Sequence, residues 1–182
     1  MKLLTFAASN SKNSINGKLV TYATEILTEK LGDELSVNHI DLNDYEMPIY
    51  SIDRQTGSGV PQQAQDFYAA IGDADAVLIS FAEHNGFYTA AYKNLFDWTS
   101  RIDMAVYQGK PTVMLATSPG GRGGGNVLNT AVGSAPFFGN EVLASLSVPN
   151  FGDNFDTEAG KLTNPELDAE LRAAVQTLID LP

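Results

Sequence analysis

No cysteine occurs among the 182 residues. That excludes a disulfide framework, a thiol nucleophile, an iron–sulfur cluster and a cysteine zinc site. No apolar run approaches the ~18 residues of a transmembrane helix. Basic side chains are scarce: 11 Lys and Arg stand against 22 Asp and Glu, a net charge of −11. This balance opposes nucleic acid and anionic membranes, which are polyanions, so neither is an expected partner. A small anionic ligand is less affected, because it feels the local field of its own loop. Histidine is limited to His39 and His84, with no His-x-x-x-His spacing and no facial triad, so no metal site is expected. A Gly-Lys-Ser/Thr phosphate loop, the dinucleotide glycine fingerprint and a Gly-x-Ser-x-Gly elbow are also missing.

What is present reads as an ordered α/β chain. The hydrophobic share of 43% and charged share of 18% argue against disorder. The length suits one domain, 1–182, able to bury roughly 70% of its unfolded surface without a staple. Met1–Ala8 has the lysine and apolar run of a signal peptide, but the run is short and a polar loop follows, so a buried first strand is the better reading. Helical spacing follows in Ile15, Leu19, Ala23, Ile26 and Leu27, closed by Gly32. A second strand is expected over Leu35–Leu42, then an irregular stretch over Asp44–Gly59 and a helix opened by Pro61. Ala74–Phe81 and Pro111–Thr117 are continuous apolar strands. Between them Tyr88–Ile102 has the spacing of an aromatic helix. Val127–Ala135 is a further helix and Glu141–Val148 the last strand. Asn164-Pro165-Glu166 marks the final helix start: a capping Asn, Pro at the first position and an acid in the first turn. Five strands alternating with five helices, the central strands apolar on both faces, imply a parallel sheet covered on each side.

Such a sheet binds ligands beyond the carboxyl ends of its strands, where strand order reverses. Three loops therefore matter. Ser9–Asn16 carries hydroxyls, side-chain amides and Lys12 directly before a helix, which suits a phosphate, although Ser and Asn favour caps and turns in any case. Ala82–Gly86 offers Glu83, Asn85 and backbone amides to a planar heterocycle, with His84 able to stack or to remain solvated. Ser118–Gly125 is a glycine cluster that lets backbone approach a flat ligand, with Arg122 for an anion; its plain alternative is a mobile loop.

Together the loops resemble those of the NADPH-dependent FMN reductase family, which is flavodoxin-like and includes reductases of quinones, chromate and azo compounds. The family's Gly-Ser-x-Arg-x-x-Ser-x-Asn loop is matched by Ala8–Asn16 through Ser9, Ser14 and Asn16, with Ser11 where the family has arginine. Its Pro-Glu-Tyr-Asn loop and the following Leu-Lys-Asn-x-x-Asp-Trp are matched through Glu83, Asn85, Lys93, Asn94, Asp97 and Trp98, with His84 in place of tyrosine. Ser118, Gly121, Gly123 and Gly124 match its third segment. The resemblance implies a doubly wound five-stranded parallel sheet in the order 2-1-3-4-5. It implies FMN with its phosphate on Ser9, Ser11, Lys12, Ser14, Ile15 and Asn16. The isoalloxazine is expected against Glu83, His84, Asn85 and Gly86, and its far edge near Ser118, Gly120, Gly121 and Arg122. Lys93, Asp97 and Trp98 are read as structural residues holding the flavin loop.

The implied activity is hydride transfer from NADPH or NADH to FMN, then reduction of a quinone, azo dye, metal oxyanion or free flavin. The cofactor carries that chemistry, so no catalytic acid or base is expected. A cytoplasmic homodimer or homotetramer is implied, with the aromatic helix as an interface candidate. A flavodoxin-type electron carrier, or an interaction module with a degraded site, are the rival readings. The acidity does not forbid an anionic cofactor, since Ser9–Asn16 and Ser118–Gly125 contain no acid and one base each.

Overall fold

The structure is a computed structural model that describes residues 1–181; Pro182, the last residue of the expected 1–182 span, lies outside them. Five strands form one parallel sheet: β1 (Lys2–Ala8), β2 (Ser36–His39), β3 (Ala76–Phe81), β6 (Pro111–Thr117) and β7 (Glu141–Val148). Their spatial order is β2-β1-β3-β6-β7. Counted over these five strands alone, that is the expected 2-1-3-4-5. Two hairpins lie outside it, β4 (Glu83–His84) with β5 (Phe87–Tyr88), and β8 (Phe155–Asp156) with β9 (Lys161–Leu162).

The helices are α1 (Ile15–Leu31), α2 (Ile52–Ser58), α3 (Gln62–Asp73), α4 (Ala90–Thr99), α5 (Gly125–Ser134), α6 (Phe151–Asn154) and α7 (Pro165–Ile179). Side chains alternate across the sheet, so each strand feeds two cores. Leu4, Phe6, Val77, Ile79, Phe81 and Met114 pack under α3, α4 and α5. Leu3, Leu78, Val113, Leu115 and Val148 pack under α1 and α7. Every residue of β3 is buried, as a strand covered on both faces requires.

Three expectations are corrected. The second strand is only Ser36–His39, exposed along its length at the sheet edge, and Leu42 belongs to a 3₁₀ turn, Leu42–Tyr45. Within Asp44–Gly59 lies α2, capped by Ser51, whose hydroxyl accepts from the Arg54 N–H. It buries no residue, so it left no apolar periodicity to read. The aromatic helix is shorter than Tyr88–Ile102, because Tyr88 lies in β5 and Thr89 caps α4. Residues 151–162 add α6 and a hairpin before the last helix. That helix begins as its sequence implied: Asn164 Oδ1 accepts from the N–H groups of Glu166 and Leu167, with Pro165 in the first turn.

A polar clasp joins α1 to α7. Tyr22 donates its hydroxyl to Asp168 at 2.5 Å, and Arg172 reaches the other Asp168 oxygen at 2.8 Å. Burial works to raise the Asp168 pKa, but these hydrogen bonds outweigh it and hold the carboxyl below its ordinary range. A group depressed in the folded state stabilises fully above its unfolded pKa and loses that contribution as pH falls through the folded value. Asp168→Asn should therefore lower the melting temperature at pH 7, and the gap to the parent protein should close below about pH 4. Thermal melts from pH 7 to pH 3 check this.

Candidate functional site

Register brings the three loops to one level. Ala8 is paired with Phe81, and Phe81 with Ala116, so the chain leaves β1, β3 and β6 side by side. The direction of winding reverses between β1 and β3, the place where such sheets open a cleft.

In the first loop, Ser14 caps α1 by accepting from the Gly17 N–H at 3.1 Å, and Ser9 accepts from the Ser11 N–H at 3.2 Å. The N–H groups of Lys12, Asn13, Ile15 and Asn16 find no acceptor among the described residues. Ser11 and Lys12 are exposed, while Ser14 and Ile15 are half-buried. No acid lies in the first turn of α1. Free amides, hydroxyls and one ammonium at a helix N-terminus, with no competing carboxylate, match the needs of a phosphate.

Asn16 has a different task. Its side chain is buried, accepting from Ser80 Oγ (2.7 Å) and the Thr117 N–H (3.0 Å) and donating to the Thr117 carbonyl (3.1 Å). Its polar atoms are spent on tying the start of α1 to the ends of β3 and β6, and only its backbone amide is left for a ligand.

The second loop is a tight hairpin. Asn85 and Gly86 both have positive φ, 53° and 78°, as a two-residue type I′ turn requires. The Asn-Gly pair is the signal that could have revealed it in the sequence. His84 and Asn85 are exposed, and Glu83 is half-buried. Glu83 accepts the Val127 N–H at 2.9 Å. Gly124, the residue before α5, has no side chain to cap that helix, and Glu83 supplies the missing acceptor from another loop. Thr89 completes the bracing by donating to the Ala8 carbonyl and capping α4.

The third loop is anchored, which corrects the mobile alternative. Ser147 Oγ donates to the Gly123 carbonyl at 3.0 Å, while the Asn150 and Phe151 amides bond the carbonyls of Gly120 and Ser118. Gly120, Gly121 and the Arg122 side chain face solvent, and Ser118 is half-buried. Thus Ser80, Thr117, Ala8 and Val127 cross-link all three loops into one braced rim.

Asn94 and Trp98 are structural, but what they hold is not the second loop. Asn94 accepts the Tyr50 N–H and donates to the Met47 carbonyl, and Trp98 Nε1 donates to the Pro48 carbonyl at 2.7 Å. They pin the strap before α2. Lys93 and Asp97 form a half-exposed pair on α4. Neither sequence pattern nor spacing pointed to the strap.

Beside the first loop lies a cavity of about 420 Å³. It is lined by Ser9, Ser11, Lys12 and Ser14 on one side, and by α1, the end of β2 and the β8–β9 hairpin on the others. No residue of the second or third loop reaches it.

The model of the NADPH-dependent FMN reductase family matches residues 1–151. The chain belongs to that family. Its members are enzymes that use NAD(P)H and FMN. A 2-hydroxy-1,4-benzoquinone reductase from Burkholderia sp is 31% identical over 124 residues, 68% of this chain and 63% of that protein. A quinone reductase from Escherichia coli K12 is 26% identical over 166 residues, 86% of each chain. Among solved structures, the flavoenzyme NAD(P)H:(acceptor) oxidoreductase FerB from Paracoccus denitrificans superposes with a TM-score of 0.76 at 22% identity, covering 98% of this chain and 95% of that one. This neighbour and the family model agree on the flavodoxin-like fold. Among the described residues, no helix is long and apolar enough to cross a membrane.

Proposed function

We propose that residues 1–182 form one FMN-binding domain that takes reducing equivalents from NADPH or NADH and passes them to a quinone, azo compound, metal oxyanion or free flavin. The observation that carries this reading is the first loop: amides and hydroxyls without a carboxylate, at the head of a 17-residue helix, inside a family defined by FMN reduction. Lys12, Ser11, Ser14 and the amides of Ile15 and Asn16 hold the phosphate. Glu83, His84, Asn85 and Gly86 border the ring, and Ser118, Gly120, Gly121 and Arg122 its far edge. FMN, when bound, supplies the hydride acceptor and donor.

The chain's own contribution is placement. The rigid I′ turn fixes the amides of Asn85 and Gly86, and Glu83 keeps the turn against α5. His84 lies exposed beside the turn and leaves room for a flat substrate. Self-association in the cytoplasm is part of the proposal. The buried aromatics of α4, Tyr92 and Trp98, face the core, so the interface candidate moves from that helix to the exposed Ile49, Ile52 and Met104 nearby.

The test is purification followed by the visible spectrum and NADPH oxidation with added FMN and menadione. Expected are flavin absorbance and direct turnover without a partner reductase. A colourless protein with no flavin affinity would end the proposal, and bound flavin without turnover would favour an electron carrier. Ser11→Arg restores a bidentate phosphate contact and should tighten FMN binding about tenfold, read by fluorescence quenching.

A further inference from the structure

Asparagine is followed by glycine at two places, Asn16-Gly17 and Asn85-Gly86. Such a pair carries its own chemistry. The glycine amide nitrogen can close on the asparagine carboxamide, and glycine has no Cβ to obstruct the approach. The fold treats the two pairs in opposite ways. Asn16 is 2% exposed, and its carboxamide is held by Ser80 and by both backbone groups of Thr117. The Gly17 N–H is engaged as well, donating to Ser14 Oγ at 3.1 Å. Nucleophile and electrophile are therefore both tied down, inside the first turn of α1.

Asn85 has none of this protection. It is exposed, and among the described residues neither its carboxamide nor the Gly86 N–H makes a hydrogen bond. The space around Gly86 is open: a Cβ there would lie 3.6 Å from Asn126 Nδ2 and meet nothing else within 4 Å. What opposes the reaction is the turn itself. Both residues sit at positive φ, and the carboxamide must swing out of that I′ geometry to meet the nitrogen. Only two residue pairs, Glu83 with Tyr88 and His84 with Phe87, hold the hairpin behind its tip. So short a ladder lets the tip open at small cost.

We propose that Asn85 is a site of spontaneous deamidation, giving aspartate and isoaspartate at the tip of the second loop. The Gly86 nitrogen loses its proton to water and forms a bond to Asn85 Cγ. The carboxamide nitrogen takes up a proton and leaves as ammonia. Water then opens the succinimide at either carbonyl, and nothing is oxidised or reduced. Opening at the side-chain carbonyl gives aspartate, which adds a negative charge and keeps the turn, since Asp-Gly also suits type I′. Opening at the backbone carbonyl gives isoaspartate, which routes the main chain through the side chain and lengthens it by one carbon. A two-residue I′ loop has no place for that carbon, so the Gly86 amide is displaced.

The test keeps the folded protein in mildly alkaline buffer and follows both asparagines by peptide mapping, with isoaspartate read separately by enzymatic methylation. Asn85 should convert within about tenfold of its rate in guanidinium chloride, where the turn is gone. Asn16 should convert about hundredfold more slowly than Asn85 in the folded protein, because its reaction waits for three buried hydrogen bonds to open. In the denaturant the two rates should come together. Ammonia release should fall to background in Asn85→Asp. Persistence of Asn85 in folded protein while the denatured sample converts, or an Asn16 that keeps pace with it, overturns the assignment. The site stands without the flavin reading, and FMN tells the two apart. At about ten times its dissociation constant, FMN should slow Asn85 about tenfold if the ring covers the Gly86 amide. Conversion untouched by FMN keeps the modification site and overturns the ring placement instead.

Discussion

Asn16→Ala should cost about 3 kcal/mol of stability and abolish flavin binding together with it. The side chain makes three buried hydrogen bonds, to Ser80 and to both backbone groups of Thr117. A net hydrogen bond is worth about 1 kcal/mol, and leaving its buried partners unpaired adds to that loss. Alanine leaves all three partners unpaired in a place that is closed to water. For a chain of this size the midpoint of thermal unfolding should fall by about 10 °C. Ser80→Ala is the internal comparison, since it removes one of the three bonds and should cost about 1 kcal/mol. The functional loss should exceed the global one, because Asn16 sets where α1 begins relative to β3 and β6. Its own amide is among those offered to the phosphate. Urea titrations of both variants, paired with FMN titrations under native conditions, check the two parts separately. Equal costs for Asn16→Ala and Ser80→Ala would show that the bracing does not depend on Asn16.

Asn16 also shows where sequence reading reached and where it stopped. Its place in a polar loop before a helix was visible, and so was the value of that loop to an anion. That its side chain is consumed by Ser80 and Thr117 was not visible, because those partners lie 64 and 101 residues away. The same holds for Glu83: its type suggested a ligand contact, while its cap on α5 depends on a glycine 41 positions later. Local signals carried well wherever the cause was local. The Asn164-Pro165-Glu166 start and the doubly buried strands were legible because capping and burial on both faces leave their mark within a few residues. By contrast, α2 buries nothing and β2 lies on an edge, so neither bears the periodicity that burial imposes. Trp98 is structural, as its sequence implied, but its object is different, and Asn94 on the same helix shares it. The strap they hold comes 44 to 50 residues earlier.

Gly123→Ala should destabilise the protein by about 3 kcal/mol or more and displace the third loop from the cleft. Gly123 has φ of +58°, and a Cβ there would lie 2.4 Å from Ser147 Oγ and 2.9 Å from Pro149 N. The left-handed conformation alone costs an L-residue about 1 kcal/mol. The Ser147 hydroxyl could rotate away, but it would then give up its bonds to the carbonyls of Arg122 and Gly123. The backbone beyond β7 cannot rotate away at all, so the loop itself must lift. Gly120→Ala separates these effects from the loss of a glycine as such. That position has no positive φ, and nothing lies within 4 Å of the added carbon. Its melting temperature should stay within about 1 °C of the parent. Thermal unfolding of the pair, with FMN titration of each, reads both consequences. If Gly123→Ala melted like Gly120→Ala, the third loop would not be held from behind by β7. Its ligand-facing side would then have to be ordered by the ligand rather than by the fold.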